Sequence, residues 1–428
     1  MLIEKRPVLG GRASSFTDPD TGERVDNCQH ILMRCCTNLL DFYQRIGVED
    51  KIHWFDRFHF IGRDNQISEI YSSNLPSPFH LMPSFIKFQE LSLRDKLGIA
   101  YGFFCMKLQD ENHHPELDNI TISQWLRDHH QTANAIETFW RPTLISALNA
   151  DIEIASAKYG FKLFRIGFLK DKTSYHMGVP SIRLSELCSE PCIAYINQQE
   201  GEVILKKAVS DILVSNNRVT GIKLTDGQIL SADYYISAVP FDVLLTILPK
   251  EIVEKEPCIS NLQKLNVSPI TGIHLWFNQP VTELDHASIL NRTIQWMFNK
   301  TKNYNLGKST LSEPSYLGLV VSASKELMSK TREEIVKIVL DEIHEIFPKS
   351  RNATLVKSMV IKEPKATFSP SPGCDQYRPT QQSTIPNLYL AGDWTRTDWP
   401  ATMESAVISG YRCAELIQKV GQPLSIKE

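Results

Sequence analysis

The chain has little of what marks several large protein classes. Its longest mid-chain apolar run, Leu97 to Met106, falls well short of the roughly 20 residues that a membrane-spanning helix requires. Neither sign of charge is in excess: 46 Lys and Arg face 49 Asp and Glu, a net charge of -3, so nothing points to nucleic acid as a partner. The nine cysteines are odd in number and scattered, with Cys35/Cys36 and Cys188/Cys192 the nearest pairs, so no disulfide framework is expected. Neither pair has a second Cys or His set to complete a tetrahedral zinc site, and no metal is expected. The first residues include Glu4, Lys5 and Arg6, unlike the apolar core of a secretory leader. With 428 residues, 42% hydrophobic and 22% charged, the chain reads as a cytosol-facing globular protein of two or three domains with a large core.

A Gly-x-Gly-x-x-Gly loop is also missing. Met1 to Glu4 reads as a strand ending in an acid, and Gly10, Gly11 and Arg12 follow it. In a dinucleotide-binding βαβ unit the ribose-binding acid comes about 20 residues after that loop. With the acid at position 4, the strand, loop and helix that precede it are expected to be encoded upstream of Met1. Two adjacent glycines let a backbone approach a pyrophosphate, and a guanidinium can pair with it.

The most informative stretch is Leu388 to Tyr411. Leu388 to Ala391 suits a short buried strand, Gly392 a close turn, and Asp393 the carboxyl end, where open α/β sheets bind ligands. Met403, Ala406, Val407, Gly410, Ala414 and Ile417 then recur at helical spacing, with Thr402 as the cap and Glu404 in the first turn. A helix start beside a carboxylate suits a phosphate or the anionic edge of a reduced flavin together with ribityl hydroxyls.

These motifs carry a resemblance. EKRPVLGGRASSF (4–16) resembles the second-strand region of the flavin-dependent amine oxidase and phytoene desaturase superfamily. VDNCQHILMRCC (25–36), FWRPTLISALNADIEIAS (139–156), LWF (275–277) and AGDWTRTDWPATMESAVISG (391–410) narrow it to the hydroxysqualene dehydroxylases, also described as squalene-associated FAD-dependent desaturases. The resemblance implies an α/β fold: a Rossmann-like FAD domain without its first strand and Gly-rich loop, plus an α+β substrate domain. It implies FAD held by Glu4, Gly10, Gly11, Arg12, Val209, Gly392, Asp393, Thr402 and Met403. Residues 1–48, 198–258 and 366–428 are assigned to the FAD domain, and 49–197 and 259–365 to the substrate domain.

The reaction implied is reductive removal of an allylic hydroxyl, with hydride passing from reduced FAD to carbon as water leaves and squalene forms. Hydroxide is a poor leaving group, so an acid should assist it, and His30, Asp26 and Glu404 are the candidates. A carotenoid desaturase or amine oxidase uses the same cofactor domain, and without the phosphate loop an inactive, flavin-free remnant is a further alternative. A long isoprenoid substrate, other squalene-pathway enzymes as partners, and peripheral contact with the inner face of the cell membrane follow from the same resemblance.

Elsewhere the pattern predicts helices at Leu39–Ile46, Ile122–Phe139 and Thr331–Ile346, the last with a solvated charged face. Strands are predicted from Gly201 onward, with turns at Asn216-Asn217 and Asp226-Gly227, and at Thr271–Phe277 and Leu317–Ala323. Leu75 to Leu108 is rich in Pro, Phe, Leu and Met and suits either core or a membrane contact, with Phe85 and Phe103 as the test positions. Trp276, Trp296 and Phe298 are candidates to line an apolar tunnel.

Overall fold

The computed structural model describes residues 1–109, 114–304 and 314–421. Two short parallel pairs set out the cofactor side: Leu2–Glu4 beside Val203–Leu205, and Tyr235–Ser237 beside Leu388–Leu390. All four strands come from segments assigned to the FAD domain, and Glu4 and Asp393 stand at their carboxyl ends. The predicted hairpins form a three-stranded sheet of Val209–Ser215, Arg218–Leu224 and Ile229–Leu230. Its first turn puts Asn216 and Asn217 at φ 50° and 56°, the left-handed pair that matches the twist of a two-residue hairpin.

The second architecture is a seven-stranded mixed sheet in the order Leu355–Phe368, Val267–Phe277, Tyr316–Ser322, Trp296–Asn299, His286–Ile289, Arg57–Ile61 and Ile67–Tyr71. On one face the Arg332–Ile346 helix packs Ile335, Val339, Ile343 and Ile346 against Ile273, Leu275 and Leu319. Thr331 and Glu334 close its start as a capping box. Its outer face is not merely solvated, because Glu342 accepts from the Thr293 and Ile294 amides at 2.8 and 3.0 Å. That carboxylate fastens the helix to the end of the sheet.

The predicted Ile122–Phe139 helix is broken. Ile122–Asp128 ends before His130, which takes a left-handed φ of 56°, and the chain restarts with the Thr132 hydroxyl accepting from the Ala135 amide at 3.0 Å. A wide turn over Ile136–Trp140 and the helix Arg141–Leu148 follow. No glycine or proline marks the break; a side-chain cap creates it. These helices, with Leu93–Leu108 and Ala157–Lys162, cover the other side of the sheet and build a core around Trp125, Trp140, Phe161 and Phe164.

Candidate cofactor and substrate site

The predicted strand, turn and helix at the C-terminal end is present. Leu388–Leu390 is buried, Gly392 has φ +133°, and a Cβ there would lie 2.5 Å from Trp394 Nε1, so glycine is required. The helix spans Met403–Gly421, and the Thr402 hydroxyl accepts from the Ser405 amide at 3.2 Å as its N-cap. Ser405 Oγ in turn donates to the Asp393 carbonyl at 3.1 Å, which ties the helix start to the acid-bearing turn.

Arg12 reaches this turn from the other end of the chain. Its guanidinium donates to the Asp393 carboxylate and to the Ala366 carbonyl (2.5 Å), with Asp393 only 5% exposed. Gly10 at φ +112° permits the approach, since a Cβ there would meet the Ala13 carbonyl at 2.4 Å. Gly11 is left-handed too, and no atom lies within 4 Å of the position a side chain would take. Glu4 accepts from the Arg6 amide at 2.8 Å, while the Lys207 amide, two residues before Val209, donates to the Glu4 carbonyl at 3.1 Å. Gly10, Gly11, Arg12, Gly392, Asp393, Thr402 and Met403 therefore converge, with Glu4 and Val209 linked to them along the Leu2–Glu4 edge. An open backbone at Gly11, a guanidinium, a buried carboxylate and a capped helix start fit the phosphate, ribityl and pyrimidine parts of FAD.

The three acid candidates divide. Asp26 is almost wholly buried and already satisfied: Lys300 Nζ at 3.1 Å, Tyr304 OH at 2.6 Å, Ser15 Oγ at 2.7 Å and the Leu184 amide at 3.0 Å. Burial alone would raise its carboxyl, but the Lys300 ammonium and these donors outweigh it and hold it at about 2. Such a group is an anion, not a proton donor, at neutral pH. Glu404 accepts from the Asn38 and Leu39 amides at 3.1 and 2.7 Å and from Asn38 Nδ2 at 2.8 Å. It satisfies the free amides at the start of the Thr37–Arg45 helix, a capping role supplied from a distant element. His30 lies 3.2 Å, through Nδ1, from the Cys28 carbonyl, so that nitrogen carries the proton and Nε2 is left for other partners. Burial lowers its pKa, partly offset by the Cys28 carbonyl and by Asp26.

The start of the Met403–Gly421 helix opens onto an apolar cavity of about 800 Å³, whereas Arg12 and Asp393 line a separate small crevice with Pro240, Phe241 and Lys365. The cavity's inner end is made by Leu32, Met33, Cys35, Trp399, Met403 and Glu404; its middle by Phe58, Phe60, Phe139 and Trp296; its outer end by Phe79, Met82, Phe104 and Leu108. Of the three predicted tunnel aromatics only Trp296 lines it, fixed by its Nε1 donating to Ser146 Oγ at 2.8 Å. Trp276 stacks on Tyr316 at 4.4 Å under Lys357, and Phe298 is core. All three project from the same face of the sheet, as the pairings Trp276–Tyr316, Phe298–Gly318 and Trp296–Val320 require, so place along the strands, not face, separates them.

Residues 1–418 match the family described as flavin containing amine oxidoreductase. Among curated proteins the chain is similar to 15-cis-phytoene desaturase of Synechococcus elongatus, 26% identical over 97% of this chain and 90% of that protein. It is likewise 26% identical to a probable zeta-carotene desaturase of the same organism, over 97% and 92% of the two chains. Among solved structures, an oxidoreductase from Methanosarcina mazei superposes with TM-score 0.72 at 15% identity, covering 96% of this chain and 93% of that one. A redesigned putrescine oxidase does so with TM-score 0.67 at 14% identity, over 97% and 93%. The glycine turn, the buried acid and the capped helix thus stand in a known setting, and the chain belongs to the flavin-containing amine oxidoreductases, with FAD as its cofactor.

Proposed function

We propose that the protein is a hydroxysqualene dehydroxylase, removing the allylic hydroxyl of a C30 isoprenoid to give squalene at the cytoplasmic face of a membrane. The observation that carries this reading is the apolar cavity lined from the exposed Phe79, Met82 and Leu108 to Thr402 and Met403 at the start of the C-terminal helix, a lining suited to a hydrocarbon chain. Bound FAD supplies two-electron hydride chemistry there. The protein's own residues hold the cofactor, exclude water along the cavity and manage one proton. Asp26 and Glu404 are committed as acceptors, so His30 is the member of the trio left for this step: as imidazolium it would give its Nε2 proton to the departing hydroxide, forming water, and return to the neutral ring protonated at Nδ1 that burial favours. No helix among the described residues is long and apolar enough to cross a membrane, which agrees with peripheral attachment.

A second reading, a phytoene-type desaturase, draws support from the carotenoid desaturase relatives. An amine substrate suits the cavity less, because the lining carboxylate, Glu404, has both oxygens occupied by donors from the Thr37–Arg45 helix. FAD-loaded protein, reduced anaerobically, should convert hydroxysqualene to squalene. His30→Gln should lose most of that turnover at unchanged flavin occupancy. Desaturation of phytoene with hydroxysqualene left untouched would replace the first reading by the second.

A further inference from the structure

The Leu93–Leu108 helix carries two apolar faces, and one of them has no partner in the fold. Asp95, Ile99, Gly102 and Met106 are buried, one turn apart, beneath it. On the opposite side Leu93, Leu97, Tyr101, Phe104 and Leu108 recur at four, four, three and four residues, at 74, 63, 48, 59 and 67% exposure. That spacing draws a single stripe along a helix about 24 Å long. The stripe continues onto the neighbouring turn through Phe79 and Ile86 at 56 and 58%. Phe85 and Phe103, by contrast, are partly buried and pack around Phe139 inside, so the outward apolar surface is made by other residues than the two singled out from the sequence.

Two further observations identify what this face meets. The charged residues exposed on the helix are Arg94 and Lys107, and exposed Lys87 lies just before it. Its one acid, Asp95, is turned inward to Ser92, Thr132 and Asn134. Among the described residues, a row of large apolar side chains flanked by these cations, with the helix's own acid turned inward, complements an anionic lipid surface, with the helix lying in the plane of the headgroups. The stripe is also continuous with the cavity: Phe79, Met82, Phe104 and Leu108 are exposed on this surface and line the cavity's outer end.

We propose that the Leu93–Leu108 helix is a lipid-docking surface that seats the mouth of the cavity in an anionic bilayer, so that substrate and product pass between lipid and cavity without entering water. The route rests on the hydrocarbon reading above; the docking surface itself does not. Moving a C30 hydrocarbon through water would expose its whole apolar surface at roughly 25 cal/mol per Å², a cost that a mouth held in lipid removes.

Flotation of the FAD-loaded full chain with phosphatidylcholine vesicles, with and without phosphatidylglycerol, tests the surface. The protein should float with the mixed vesicles, less with phosphatidylcholine alone, and Arg94→Glu should erase that difference. Leu93→Glu combined with Leu97→Glu, neither of which lines the cavity, should reduce flotation by roughly tenfold or more. Its melting temperature and the quenching of its tryptophan fluorescence by squalene in detergent, with Trp296 and Trp399 in the cavity wall, should stay unchanged. Undiminished flotation of the folded double variant overturns the proposal. So does a lipid-free dimer that the double variant converts to monomer, since the stripe is then a contact between two copies. Loss of squalene quenching in the parent protein would instead fail the hydrocarbon reading and leave the docking result standing.

Discussion

Replacing Lys300 with Met should destabilise the protein more than any exposed ion pair could. Lys300 and Asp26 are 1 and 3% exposed in their side chains and sit 3.1 Å apart, between the strand that leads into the flavin-side segment and the end of Trp296–Asn299. Removing one partner of such a pair leaves a buried, uncompensated charge, at about 3–5 kcal/mol. The unfolding entropy of a globular chain is about 2.1 cal/mol/K per residue, or about 0.9 kcal/mol/K for this length if it unfolds in one step, so the melting temperature should fall by about 3–6 °C. The sign of the pH dependence is fixed as well. Asp26 lies near 2 in the fold against 3.8 in the free side chain, so its stabilisation is present above pH 3.8 and is lost as pH falls toward 2. In Lys300→Met the orphaned carboxyl is protonated more readily, and the gap between the two proteins should narrow on acidification. Asp26→Leu combined with Lys300→Met removes both charges and should recover most of the loss. Calorimetry of the three proteins between pH 4 and 8 decides it. A Lys300→Met melting temperature within about 1 °C of the parent at every pH would refute the reasoning.

Asp393→Asn keeps an acceptor but removes the charge facing Arg12; FAD retention should weaken by roughly one to two powers of ten, read as flavin stoichiometry after gel filtration. A merely structural Asp393 would instead lower the melting temperature at full occupancy. His286 is held by burial, and secondarily by His59, at about 4, with Nδ1 unpartnered among Phe55, Phe58 and Trp296. The fold accommodates only its neutral form, so stability should decline as pH falls below about 6.5, by about 2 kcal/mol at pH 5 from this residue. His286→Phe should flatten that part of the stability profile, and an unchanged slope would exclude His286 as its source.

What the sequence made legible was local. Thr402 before Met403, Thr331 before Arg332 and Asn216-Asn217 between alternating runs each specify their structure within four residues, and each forms as read. The turns at Gly10, Gly11 and Gly392 were readable for the same reason: a positive φ shows in residue type. The roles of the three acid candidates were not. Asp26 acquires its meaning from Lys300 and Tyr304, and Glu404 from Asn38 and Leu39, all hundreds of residues away, with no periodicity to announce the meeting. Trp276 and Trp296 look alike as aromatic strand residues and take the same sheet face, and only their place along it decides which one reaches the cavity. Phe103 and Phe104 are adjacent and equally apolar, yet one packs inward and the other faces out, a choice set by where helix Leu93–Leu108 rests.

The joint between Arg12 and Asp393 spans 381 positions of sequence, and that between Asn38 and Glu404 spans 366. A ribosome therefore makes the two sides of each joint more than 360 residues apart. At about 5–20 residues per second, the earlier side waits on the order of 20–80 seconds, its glycine turn and its uncapped helix start exposed. No cofactor can be held between the two sides until the later one has been made. Protection of the earlier segment over that interval, and the supply of free FAD once the later one has emerged, then govern how much FAD-loaded protein forms.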